Sequence, residues 1–190
     1  MYPWFETISR STELVQGDMV INCAVIQPTP DHYKAIEQNL ESELPCPVLL
    51  FNGIILSQSC DIVNEKIHSV IVCPVITLGE LMQNEPYFHS STARESLRQG
   101  KEPAYHLLNK VSITTSSLED FYVVTFRHIY SIPKDFIKAT VEGQSRMRLL
   151  PPYREHLSQS FARYFMRVGL PVDISKDDIK SFVHTQPDTN

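Results

Sequence analysis

Two apolar tracts joined by a short polar link constrain the fold more than any other feature of the chain. Residues 48–56 are apolar except at Asn52-Gly53, and residues 68–77 are almost continuously apolar. Parallel strands need a crossover of about a dozen residues or more, which the link at 60–66 cannot supply. An Asn-Gly pair between apolar runs is typical of a β-hairpin. We therefore predict consecutive antiparallel strands, with a hairpin turn at Asn52-Gly53.

Three further segments are rich in β-branched and aromatic residues and are predicted as strands: residues 17–26, 104–108 and 121–130. Short helices are predicted between strands, at residues 31–44, 78–82 and 91–99. We interpret the first of these helices, which is followed by Pro45 and Pro47, as an insertion between strands.

The clearest helical pattern begins at Pro151-Pro152 and ends at Val168, before Gly169. Apolar residues recur there every three or four positions, which predicts one buried face. We therefore predict a mainly β protein with helices (β+α), either a small barrel or a strongly curved antiparallel sheet, with short inserted helices and one long C-terminal helix. Residues 1–173 form one predicted domain, and residues 174–190 form a tail with a short helix at 176–183.

Composition excludes several classes of protein. The chain has 190 residues, of which 42% are hydrophobic and 21% charged, as in folded globular domains rather than disordered or collagen-like chains. The net charge of −5 argues against a protein whose whole surface binds nucleic acid. We find no secretory signal and no apolar run of about 20 residues, so we predict a cytoplasmic protein with no membrane partner and with reduced cysteines.

Positive charge is concentrated near the C-terminus. Residues 134–167 hold 7 basic and 3 acidic side chains, interleaved with aromatic residues, whereas residues 1–133 hold 8 and 15. One interpretation is that the aromatic residues face the core and the arginines face solvent. The other is a surface that binds an acidic protein or the phosphates and bases of RNA or DNA. The candidate binding residues are Arg148, Tyr153, Arg154, Arg163 and Arg167.

The polar segment at residues 57–61 follows an apolar strand, a position where functional sites are common. Gln58 and Ser59 are candidate binding residues, and Cys60 and Asp61 are candidate catalytic residues. Cys60 would act as a nucleophile only beside a base such as His68, His106 or His128. The alternative is that the polar residues cap a turn and that Cys60 fills space.

The cysteines give no metal signature. Cys23, Cys46, Cys60 and Cys73 are 23, 14 and 13 residues apart, without the closely spaced pair typical of structural zinc sites. A site built from these thiols and His68 remains an alternative. No phosphate-binding glycine loop or zinc-protease motif is present, and we predict no cofactor.

The order of three segments resembles the core of the MazF/PemK-type toxins. These segments are Gly17-Asp18-Met19-Val20, residues 53–61 and residues 69–77. The chain is also similar to uncharacterised bacterial proteins with an S-Q-[ST]-C-D segment. The toxin resemblance implies a small SH3-like barrel and metal-independent RNA cleavage, with Ser69 matching a catalytic Ser/Thr. Asn52-Gly53 stands where the family has Arg, so Arg148 or Arg154 would have to supply the cation.

The sequence thus supports three hypotheses about function. The leading one is a bacterial cytoplasmic binding module that engages a protein or nucleic-acid partner through its basic aromatic C-terminal helix. The alternatives are a MazF/PemK-type endoribonuclease using Ser69, and a thiol-based enzyme using Cys60. A homodimer is compatible with all three.

Overall fold

The computed structural model describes residues 2–11, 13–38, 44–113 and 119–166, together with Ser175 and Asp177. The strands are β1 Phe5–Ser9, β2 Met19–Ile26, β3 Val48–Ile55, β4 Ser69–Thr77, β5 Tyr105–Val111, β6 Asp120–Thr125, β7 Tyr130–Pro133 and β8 Ser145–Leu149. The α-helices are α1 Pro30–Glu37, α2 Ser59–Val63, α3 Leu78–Asn84, α4 Ser91–Arg98, α5 Lys134–Val141 and α6 Tyr153–Phe165, and a 3₁₀ helix spans Pro86–His89. None of the described helices is long and apolar enough to cross a bilayer.

The main sheet is antiparallel and has the strand order β2-β3-β4-β6-β5. β4 has two partners along one edge, because β7 pairs with its residues 69–72 and β6 with its residues 75–77. β1 and β8 form a separate antiparallel pair, which one bridge between Asp18 and Arg148 joins to the start of β2. The predicted mainly antiparallel β+α protein is confirmed.

The sheet is not closed into a barrel. β2 is the first strand of the main sheet, and β7 pairs only with β4. In the ranges that the structure describes, no strand pairs with the outer edges of β2 at 23–26 and β7 at 130–133. The closed barrel expected from the sequence is therefore not confirmed.

The predicted hairpin at Asn52-Gly53 is wrong, because β3 continues through both residues. Gly53 lies opposite a β-bulge in β2, where Asn22 has a φ of +56°. A Cβ on Gly53 would lie 2.4 Å from Cγ1 of Val72 on β4. Gly53 therefore does not form a turn. Its lack of a side chain allows β3 and β4 to approach each other closely.

Helices cover both faces of the sheet. Alternate residues of β4 point to opposite faces, so Cys73 and Val75 lie under α6, in a core that includes Leu157. On the other face, α2 and α5 cover Val70 and Val72, whereas α3, the 3₁₀ helix and α4 cover Ile76. Between these two groups of helices, on the same face of the sheet, the surface around Pro74 borders a cavity.

One other prediction needs correction. The strand predicted over residues 121–130 is two strands, β6 and β7, because the chain leaves the sheet between the two segments of β4 that they pair with. The long helix is confirmed as α6 within the predicted range 151–168. The predicted tail at 174–190 lies outside the described residues, apart from Ser175 and Asp177.

Candidate functional site

The polar segment at 57–61 forms the turn into α2 and binds neighbouring backbone. Ser57 Oγ accepts a hydrogen bond from the amide of Ile71 at 2.8 Å. Ser59 Oγ accepts one from the amide of Gln16 at 3.1 Å. Gln58 occupies the position before α2. Both amides lie outside the turn and α2, and Gln58 makes no side-chain cap hydrogen bond. Because Cys60 is exposed, it does not fill space in the core.

Cys60 is exposed and faces oxygen atoms. Its Sγ lies 3.6 Å from Gln58 Oε1 and 3.5 Å from Asp61 Oδ1, and that carboxylate oxygen lies 3.6 Å from Lys66 Nζ. Among the described residues, no hydrogen bond joins Cys60 to an imidazole. Among the described residues, the predicted histidine base is therefore not hydrogen-bonded to Cys60, and the thiol-enzyme hypothesis stays a prediction.

The other cysteines do not form a site. Burial raises the pKa of both Cys23 and Cys73 to about 12, which keeps these thiols protonated. Cys46 is half-buried. No group of three or more potential metal ligands occurs in the described part of the chain.

Arg146 and Arg148 bind a buried carboxylate. Asp18 is fully buried; its Oδ2 lies 2.9 Å from Arg146 Nε, and its Oδ1 lies 2.5 Å from Arg148 Nε. Arg146 also donates to the carbonyls of Ser11 and Glu13. These guanidinium groups therefore hold β8 against β2, and Arg146 is not a surface charge.

Most other basic side chains of the C-terminal block are also paired. Arg154 lies 2.7 Å from Glu155, and both Lys134 and Lys138 pair with Glu65. The hydrogen bond from Lys134 is the main reason that the pKa of Glu65 falls below its usual value. Arg163 is exposed and has no ion pair with any described residue, whereas Arg167 lies outside those residues.

Three of the four aromatic residues of α6 pack inward, whereas Phe165 is 58% exposed. Tyr153 stacks on Trp4 with ring centroids 3.7 Å apart, while Phe161 and Tyr164 contact Phe126. The helix therefore fits the core interpretation of its aromatic face better than a stacking surface for bases.

Ser69 begins β4 and lies opposite Pro133 of β7. In the part of the chain that the structure describes, no hydrogen bond or ion pair joins it to Arg148 or Arg154. Since Asp18 holds the Arg148 side chain, these contacts do not assemble the predicted pair of serine and cation.

Three adjoining cavities, which we call the edge groove, begin at the two open strand edges and continue over the sheet face around Pro74. Its first cavity, of about 510 Å³, lies between residues 24–26 of β2 and residues 131–133 of β7, with Phe136 of α5 beside them. The second, also about 510 Å³, shares Val25 and Ile26 with the first. The third, of about 350 Å³, shares Gln27 and Tyr130 with the second.

The two ends of the edge groove differ chemically. The first cavity is lined mainly by aliphatic and aromatic carbon, including Ile26, Val48 and Phe136. The third is lined by apolar residues such as Leu49, Phe51 and Ile76 and by polar ones that include Glu85, Tyr105, Thr125, Arg127 and His128. A combination of apolar lining with a few polar groups is typical of binding sites.

Three side chains form a hydrogen-bonded group at the polar end. Arg127 Nη1 donates to Glu85 Oε1 at 2.6 Å, and the Tyr105 hydroxyl donates to the same oxygen at 3.3 Å. The guanidinium carbon of Arg127 lies 5.1 Å from the Tyr105 ring centroid, within cation–π distance. Burial is the main reason that the pKa of Tyr105 is raised, so its hydroxyl stays protonated and can donate.

No pattern in the sequence predicted this site. Arg127-His128 lies within the segment predicted as one strand, and these two charged or polar residues could have indicated a break between shorter strands. Glu85 and Tyr105 have no sequence signal that joins them to Arg127, because only the fold brings them together.

No protein-family model, curated protein or solved structure matches the chain in the three comparisons.

Proposed function

We propose that this protein is a protein-binding module that holds an extended segment of a partner protein in the edge groove. One observation carries the proposal: two adjoining cavities lie at strand edges that no other described strand occupies, and a third continues from them over the sheet face. An extended segment can pair its backbone with such an edge and place alternate side chains in pockets. The binding-module hypothesis is therefore kept, with a different surface from the basic helix.

Exposed apolar side chains beside the edge support this proposal. Ile26 and Val48 lie opposite each other in the β2–β3 register and are 66% and 58% exposed. Residues 23–27 contain no charged side chain. Charged side chains on edge strands usually prevent pairing with another chain. Since this edge has none, a strand of a partner protein can pair with it.

The gap in the sheet also suits a strand from a partner. Such a strand would lie between the edges of β2 and β7. With it, the open sheet would be more similar to the closed SH3-like barrel that the sequence resemblance implies. We favour a protein over RNA or DNA, because the residues that line the first two cavities include no Lys or Arg to neutralise a run of phosphates.

The test is selection from a displayed library of random peptides on immobilised protein. We expect the wild-type protein to enrich peptides with aliphatic residues at alternate positions, and the Ile26→Lys variant to lose that enrichment because a charge then lies in the apolar cavity. Val63→Lys is the matched control, since Val63 is 53% exposed and lies on α2 outside the groove.

Equal enrichment by wild type and Ile26→Lys would contradict the proposal, as would the absence of any enrichment by the wild-type protein. Thermal melting of both variants should remain near that of wild type, because both residues are mostly exposed.

A further inference from the structure

The polar end of the edge groove has unused hydrogen-bonding capacity. Arg127 is 51% exposed, and its contacts with Glu85 and Tyr105 hold the guanidinium group at the rim. Only Nη1 of this side chain donates to another described residue, whereas a guanidinium group has five N–H donors. The exposed His128 follows it in the chain and lines the same cavity.

We infer that the edge groove selects segments that carry a carboxylate at the Arg127 end and aliphatic side chains at the Phe136 end. This inference rests on the proposed function. The planar fork of an arginine matches a carboxylate and can bind it with two parallel hydrogen bonds. Contact with the Tyr105 ring fixes one orientation of the guanidinium before the ligand arrives, which reduces the ordering cost of binding.

Glu85 does not reverse this preference for negative charge. Its Oε1 already accepts hydrogen bonds from Arg127 and Tyr105. A ligand carboxylate would bind the remaining donors of Arg127. The carboxylate could belong to an Asp or Glu side chain or to the C-terminus of the segment, since all present the same two oxygens.

The length of the groove sets the spacing of the ligand's residues. Residues 131–133 of β7 line the apolar cavity and follow Arg127 by four to six positions in the chain, and an extended ligand advances about 3.3 Å per residue. We therefore expect the carboxylate to lie roughly four to six positions from the aliphatic residues of the ligand.

The test is a positional-scanning library of synthetic decapeptides, each made with a free and with an amidated C-terminus, measured by fluorescence anisotropy. Wild-type protein should prefer Asp or Glu at one end, or a free C-terminus, with aliphatic residues at the other end. Arg127→Gln should weaken binding of the preferred peptides about tenfold or more, because a charge-assisted pair is lost. Arg127→Lys should lose part of that affinity, because it keeps the charge without the fork.

Arg98→Gln is the matched control. Arg98 also forms a 2.6 Å ion pair with a glutamate and is 65% exposed, but it lies on α4 outside the groove. A comparison of free with amidated peptides identifies the source of the carboxylate. Selection for aliphatic residues without a carboxylate, or for Lys or Arg at the Arg127 end, would overturn this inference and leave the proposed function standing. Absence of any selection would overturn both.

Discussion

Gly53 shows how a single residue sets the distance between strands. The Cβ of an alanine at this position would lie 2.4 Å from Val72 Cγ1 and 3.3 Å from Cys23 Sγ, inside the core that β2, β3 and β4 share. We expect Gly53→Ala to destabilise the protein by about 1–3 kcal/mol, because overpacking a core forces backbone shifts. Urea unfolding measures the change.

Gly79→Ala is the control for Gly53→Ala. Gly79 lies in α3, and the nearest atom to an added Cβ is Thr77 Oγ1 at 3.8 Å. Alanine there should be neutral or slightly stabilising, since it favours the helix. Equal unfolding free energies for Gly53→Ala and wild type would show that β3 and β4 can separate without cost.

Residue types alone could not predict the role of Gly53. The pair Asn52-Gly53 has the composition of a hairpin turn, and a local pattern cannot distinguish a turn from a close approach between strands. The bulge at Asn22 and the packing of Val72 decide between them. Both are contacts with residues distant in sequence.

At the scale of elements, Asp18 joins the start of β2 to β8. It is fully buried and accepts hydrogen bonds from two arginines, of which Arg146 is itself buried. We expect Asp18→Asn to destabilise the protein by about 3–5 kcal/mol, because removal of one partner leaves a buried charge without compensation. Denaturant unfolding followed by circular dichroism measures this loss.

Glu155→Gln provides the comparison for Asp18→Asn. Glu155 pairs with Arg154 near the surface, where an ion pair contributes little. If Asp18→Asn were as mild as Glu155→Gln, the carbonyls of Ser11 and Glu13 would be sufficient partners for Arg146.

These ion pairs also explain which element-scale predictions the sequence could support. Composition located the basic block correctly, but Arg146 and Asp18 are 128 positions apart, and Lys134 and Glu65 are 69 apart. Nothing local indicates that these charges are neutralised. Likewise, the strand patterns located β4 and β6, but only the two partners of β4 separate β6 from β7.

At the scale of the whole molecule, His106 connects the sheet to the C-terminal helix. It is buried in β5, and its ring packs at 5.2 Å against that of His156 on α6. Burial, with a smaller contribution from His156, lowers the pKa of His106 from 6.5 to about 4. The folded protein therefore holds this imidazole neutral at pH values where the unfolded chain is protonated.

This difference predicts a loss of stability in acid. Between about pH 6.5 and pH 4, only the unfolded state gains the proton on His106, so the free energy of unfolding should fall as the pH is lowered, by up to roughly 1.4 kcal/mol per pH unit. The hydrogen bond from Arg98 lowers the pKa of Glu95 to about 2, so Glu95 contributes to acid unfolding only below about pH 4.5. The two groups therefore act in largely separate ranges.

Urea unfolding from pH 7 to pH 4 tests the role of His106. The slope of unfolding free energy against pH should be smaller in His106→Asn than in wild type, whatever the absolute stability of the variant. His89→Asn, at an exposed position in the 3₁₀ helix, should keep the wild-type slope. If His106→Asn kept the full wild-type slope, other titrating groups would cause the acid unfolding. The burial of His106 against His156 of α6 would then not be the reason that the free energy of unfolding falls with pH.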